Sequence, residues 1–195
     1  MSNAHDSFAA AIAKWPNVPA CHGWLSLDRR GGWRLQGEAV THGGLRVFLD
    51  QGYRRDDDGA WFVQNGPQKV FVSLDYMPLI LRLATDGSLS THTGQPAGDL
   101  EQAWFDEDGN LLLATHAGPG LLDDRDLATA LSSCTTPAGE PARDDDLLAA
   151  LNGETTVCWR GLRVGTMKRA DAPARFGFIA DPQPDPVTPP AESAP

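Results

Sequence analysis

Cysteine is scarce in this chain and odd in number. Cys21, Cys134 and Cys158 form no C-x-x-C pair. That pattern excludes a zinc ribbon or a thioredoxin-type site, and three small buried hydrophobes in a reducing cytosol are expected instead. Lysine is equally rare, with only Lys14, Lys69 and Lys168. Positive charge as a whole is in deficit: 16 Lys and Arg face 26 Asp and Glu, giving a net charge of −10. The mean field of such a chain repels a phosphate backbone, so no nucleic acid partner is expected. Long apolar runs are missing as well. The longest, residues 8–13, cannot span a bilayer, and residues 7–15 (SFAAAIAKW) lack a basic n-region. A cytoplasmic protein with no membrane partner is the expectation.

Catalytic signatures are also absent. There is no G-x-S-x-G, so Ser73 and Cys158, both on expected strands, are not placed as nucleophiles. Residues 116–120 (HAGPG) match neither a P-loop nor a dinucleotide fingerprint and read as a plain turn before a helix. The acidic runs at 56–58, 106–108 and 144–146 lack the EF-hand pattern and read as solvated turns or a helix start. Neither a metal nor a cofactor is expected, and an enzyme is not favoured.

What is present is an alternation of strands and helices. Residues 7–15 have the spacing of a short amphipathic helix, followed by an extended arm through Pro16 and Pro19. Residues 24–28 and 33–35 predict a hairpin. Thr41 is the expected N-cap of a helix whose apolar face is Leu45, Phe48 and Leu49. Residues 54–59 (RRDDDG) read as a loop. Residues 61–83 then give a strand, an Asn-Gly-Pro turn, a second strand with Val70, Val72 and Leu74 on one face, a break at Pro78, and a third strand. Residues 88–93 suggest an edge strand and 95–99 a linker.

The second half runs in the same order. A hairpin spans 103–115, Asp123 caps a helix through Leu127, Ala130, Leu131 and Cys134, and residues 144–151 add a short acidic helix. A second hairpin spans 155–168, with a last strand at 176–180. Aligned without gaps, residues 61–83 and 156–178 match Gly66 with Gly161 and Pro78 with Pro173. The expected fold is therefore α+β: two tandem similar units, each hairpin, helix, hairpin and extra strand. The expected division is an N-terminal helix and arm at 1–23, units at 24–94 and 95–181, and a disordered Pro-rich tail at 182–195.

Residues 24–83 resemble an uncharacterised proteobacterial family, one of the domain-of-unknown-function groups, either as a member or as a sister family. The matching residues are Asp28, Arg29, Gly31 and Trp33, then Gly37, the helix residues 45–48, the loop 57–59, and Trp61, Phe62, Lys69 and Pro78. The turn 66–68 departs from the family pattern, which has a Pro and an acidic residue before the Lys. The resemblance implies a duplicated α+β core with a C-terminal half similar to pleckstrin-homology folds. It also implies a small-ligand site between the halves, for a nucleotide-like molecule among others, and a link to bacterial signalling.

Candidate ligand contacts follow from the repeated turns. Lys69, Arg160 and Arg163 flank them, with Asn65 at the first, and cations beside glycine turns suit a carboxylate or phosphate. Trp61 and Trp159 offer ring faces to a planar ligand. His42 and His116 each follow a Thr and precede a helix, as ligand contacts or acid–base groups. The leading expectation is a non-enzymatic module that binds a small anionic or nucleotide-like ligand. The alternatives are a small hydrolase or transferase with a His base at the seam, and a protein-interaction module using a sheet edge.

Overall fold

A computed structural model describes Pro16 and residues 18–184. The expected N-terminal helix and most of the expected tail lie outside these residues. The chain is α+β, with two mixed sheets and, among the described residues, four α-helices.

The first sheet holds β1 (Ala20–Leu27), β2 (Trp33–Leu35), β3 (Glu38–Ala39), β4 (Tyr53–Arg55), β5 (Trp61–Asn65) and β6 (Gln68–Leu74), in the order β3-β2-β1-β6-β5-β4. Its centre is a parallel pair, with Leu25 opposite Val72 and Leu27 opposite Leu74. Along β6 burial alternates, and Val70, Val72 and Leu74 point into the core as their spacing predicts. Helix α1 (Gly43–Gly52) packs on β5 and buries Leu45 and Leu49. Its N-cap is His42 rather than Thr41: the His42 ring accepts a hydrogen bond from the Leu45 amide at 3.2 Å. An imidazole Nδ1 takes the role usually filled by a hydroxyl or carboxylate.

The second sheet holds β7 (Leu79–Leu83), β8 (Leu89–Thr91), β9 (Leu100–Phe105), β10 (Leu111–Thr115), β11 (Gly118–Leu122), β12 (Val157–Trp159) and β13 (Leu162–Thr166). Their order is β12-β13-β9-β10-β11-β7-β8. Here too a parallel pair, β9 with β13, joins an early hairpin to a late one. Helices α2 (Asp124–Ser132) and α3 (Asp144–Leu151) lie between those hairpins in sequence, and α3 packs on β12 and β13. The run β3-β2-β1-β6-β5 in one sheet therefore has the same connectivity as β11-β10-β9-β13-β12 in the other.

Three expectations change. Residues 116–120 are not a plain turn, because Gly118 opens β11, which pairs antiparallel with β10 and parallel with β7. Gly120 permits that pairing: a Cβ there would lie 2.7 Å from Leu81 Cγ. Residues 54–59 are partly strand, since β4 pairs with β5. Residues 176–180 are not a strand. Helix α4 (Ala172–Phe176) ends at Gly177, and the chain then crosses the first sheet with a single bridge from Ile179 to Ala60. Moreover, β7 and β8 hydrogen-bond into the second sheet although they follow β6 directly.

One continuous apolar cluster joins the sheets, from Leu25, Val72 and Trp33 to Leu81, Leu112 and Trp159. No helix among the described residues is long and apolar enough to cross a membrane.

Candidate functional site

Two five-residue turns with the same construction meet at the seam of the sheets. Between β1 and β2, the Asp28 carboxylate accepts from the amides of Arg30 at 3.0 Å and Gly32 at 2.7 Å. Between β9 and β10, Asp106 accepts from Asp108 at 3.0 Å and Asn110 at 2.8 Å. In each, the fourth residue is a glycine at positive φ, Gly31 at 77° and Gly109 at 79°. This is a type I turn closed by a left-handed residue, which glycine adopts without a Cβ penalty.

The second turn is tied to the strand exit at 75–78. Asp106 is buried and also accepts from Tyr76 Oη and Asn110 Nδ2, both at 2.7 Å. Asn110 Oδ1 accepts from Arg29 Nη2 at 3.0 Å, which links the two turns. The Tyr76 ring lies beneath two guanidiniums, Arg169 at 4.5 Å and Arg29 at 5.5 Å from its centroid. Burial, and then the hydrogen bond to Asp106, push the Tyr76 phenol far above its usual range. It is a neutral donor at any working pH.

A cleft of about 470 Å³ opens here, walled by Asp28, Arg29, Arg30, Asp75, Asn110 and Asp124, with Leu121 and Leu122 beside them. Its charges are partly settled among themselves. Arg30 grips Asp124 with contacts of 2.6 to 3.2 Å, and Asp28 faces Arg34 at 3.6 Å. Arg29 has no carboxylate within ion-pair distance among the described residues, and neither does Asp75 have a cation.

His92 supports the first turn from behind. A Cβ on Gly31 would lie 2.5 Å from His92 Cβ, and the ring meets Trp33 and Tyr53 edge-on at 5.6 and 5.4 Å. Its Nδ1 accepts from the Ile80 amide at 3.3 Å, which puts the proton of the neutral ring on Nε2. Burial lowers its pKa to about 4, against a smaller upward pull from Asp28.

The residues singled out in the sequence stand elsewhere. Asn65 and Lys69 border the β5–β6 turn, where Lys69 Nζ sits 4.7 Å over the Phe62 ring and Asn65 donates to Gln68. Arg160 occupies the corresponding β12–β13 turn at φ 54°, stacks 4.7 Å over Trp159 and donates to the Gly87 carbonyl. Trp159 is buried and donates to Ser133 Oγ at 3.0 Å, so its face is not open to a ligand. Trp61 is buried against Tyr53 at 4.8 Å. His42 caps α1, and His116 lies over Gly98 in the β10–β11 turn. None of these lines the 470 Å³ cleft; Arg163 lines a different groove, beside Arg175. The cleft residues Arg30, Asp75, Asn110 and Asp124, and Tyr76, which anchors Asp106, went unnoticed in the sequence. The signal was the repeated Asp-x-x-Gly at 28–31 and 106–109. Among the described residues no group of three His, Cys, Asp or Glu is placed to hold a metal.

No curated protein matches the chain. Its fold is similar to the crystal structure of a DUF1285 family protein from Silicibacter pomeroyi, at 15% identity and a TM-score of 0.50 over 85% of this chain and 97% of that one. A second DUF1285 family protein, from Shewanella baltica, matches at 18% identity and a TM-score of 0.42, over 54% of this chain and 88% of that one. The family model described as "Protein of unknown function (DUF2946)" matches residues 5–183, the whole of both sheets and the seam between them, and the chain belongs to that family.

Proposed function

We propose that this protein is a non-enzymatic binding module that holds a small ligand in the seam cleft and serves a regulatory role. The observation that carries the reading is the cleft itself: about 470 Å³, walled from four separate stretches of chain. Pre-formed clefts of this size are where small ligands bind, and a few fixed polar groups set their orientation. Arg30 with Asp124, and Tyr76 with Asp106, are locked in hydrogen bonds that fix the walls. Such an arrangement suits recognition more than proton transfer. Arg29 offers an anion-binding fork and Asp75 an acceptor, so the matching ligand carries an anionic group and a hydrogen-bond donor. A nucleotide-like molecule has both. The expected division into units at 24–94 and 95–181 belongs to the same proposal, with the cleft at their junction.

A thermal-shift screen of nucleotides and metabolites tests it. A ligand at about 100 times its Kd adds about 2.7 kcal/mol of stability. The expected hit raises Tm in the native chain and loses that effect in Arg29→Gln and Asp75→Asn. A hit indifferent to both substitutions, or a full library without one, defeats the proposal.

A further inference from the structure

On the second sheet, away from the seam, a groove of about 320 Å³ is lined by Gln102, Trp104, Thr156, Arg163, Gly165 and Arg175, and none of the residues lining it is acidic. In a chain of net charge −10 that is a local inversion of the field. Gln102 and Trp104 lie two apart on β9, and Arg163 and Gly165 two apart on β13. Because Gly165 pairs with Trp104 across the parallel ladder, these four share one face. Gly165 makes the groove floor: a Cβ there would lie 2.9 Å from Trp104 Cδ1 and 3.2 Å from Nε1, so the indole rests across bare backbone. Arg175, from α4, closes the other side with its guanidinium 5.1 Å over the Trp104 ring. Among the described residues neither arginine has a carboxylate within ion-pair distance.

We infer that this groove is a second binding site, for an oxyanion (a phosphate or carboxylate group on a small molecule), held between the guanidiniums of Arg163 and Arg175. Two guanidiniums give forked donors, and the Gln102 amide, Thr156 hydroxyl and Trp104 Nε1–H add neutral ones. The ring beneath Arg175 holds that guanidinium in place before an anion arrives, which lowers the ordering cost of binding. The site does not depend on the seam cleft, with which it shares no lining residue.

The test titrates inorganic phosphate, and in parallel acetate, into the full-length ¹⁵N-labelled chain at constant ionic strength. The Trp104 indole N–H resonance is followed. A saturable shift is expected with at least one of the two anions, and the tighter one names the group. Chloride at the same ionic strength should leave the resonance in place. Arg163→Gln and Arg175→Gln should each weaken binding about tenfold, while Arg163→Lys retains part of it. Arg29→Gln, in the seam cleft, should leave the anion-induced shift of the Trp104 resonance as it is in the native chain. Both groove arginines are exposed, so these variants should fold, and an unchanged Tm verifies it. A shift that does not saturate, that chloride reproduces, or that survives both Gln substitutions overturns the inference.

Discussion

Burial keeps the His92 imidazole neutral at pH 7, with its pKa lowered to about 4. In the unfolded chain the same ring titrates near ~6.5. The unfolded state therefore binds the proton more readily, and the stability due to His92 is complete above about pH 6.5. It is lost as the pH falls from there toward 4, by up to about 3 kcal/mol. Urea denaturation at pH 7.5 and pH 5 should show about 2 kcal/mol of this loss, and His92→Gln should remove most of that difference. Gly31 is the neighbouring test. At φ 77° and with His92 Cβ 2.5 Å from where its own Cβ would stand, Gly31→Ala combines backbone strain with a clash. Gly37, at φ 85°, has nothing within 4 Å, so Gly37→Ala meets strain alone. The expected losses are about 1 kcal/mol at Gly37 and about 3 kcal/mol at Gly31, read from chemical denaturation. Thr91-His92 stands out in the sequence as a Thr-His pair, but the role of His92 was not legible there. A Thr-His pair in an edge-strand stretch gives no sign that two sheets will close over the ring.

Among the elements, the five-residue turn with glycine in fourth place is the recurring piece. The same backbone closure appears at 56–60, 84–88, 91–95 and 136–140, where the first residue's amide donates to the fifth residue's carbonyl at 2.7 to 2.9 Å. Asp106 does more than close its turn, because it also anchors Tyr76. Asp106→Ala strips a buried hub of its acceptor and should cost about 3 kcal/mol or more. A double-mutant cycle with Tyr76→Phe should give a coupling of about 1 to 2 kcal/mol. Additive effects would mean that the Tyr76–Asp106 bond is not maintained in solution. The turns at 28–32 and 106–110 were readable beforehand, since Asp-x-x-Gly between apolar alternations has a local cause. The strand β11 was not. Gly118, Pro119 and Gly120 carry poor strand propensity, and only the close approach of Leu81 explains why glycine is needed there.

At the scale of the whole molecule, the segment after α4 ties the second sheet's chain back onto the first. Arg55 Nη2 donates to the Gly177 carbonyl at 2.6 Å, the Ile179 amide to Gly59 at 3.0 Å, the Leu74 amide to Ala180 at 2.7 Å, and Ser73 Oγ to Asp181 at 2.7 Å. A chain ended after Phe176 should lose hydrogen-exchange protection at Leu74 and unfold at a lower temperature. A chain ended after Gln183 should match the full-length protein. If the shorter chain keeps its protection at Leu74, the segment is decoration. The individual hairpins and the helices at 43–52, 124–132 and 144–151 were visible in the sequence, because hairpin turns and helical periodicity are local. Which strands become neighbours was not, because the parallel pairs join residues far apart in the chain.

Those parallel pairs set the order in which the chain can be completed. The first sheet has its earliest and latest hairpins side by side at its centre, β1 with β6, and in the second sheet the β9–β10 hairpin meets the later β12–β13 hairpin through β9 and β13. A partly synthesised chain can form the hairpins early, but it cannot close the first sheet before β6 is made or the second before β13. Until Leu74 arrives, the core-facing side of Leu25 and Leu27 has no β6 beside it, and Ala103 waits likewise for Val164. The loop entropy of both closures falls before the contacts that reward it, which places folding toward the slow end, roughly milliseconds to seconds, for a domain of mixed α and β structure.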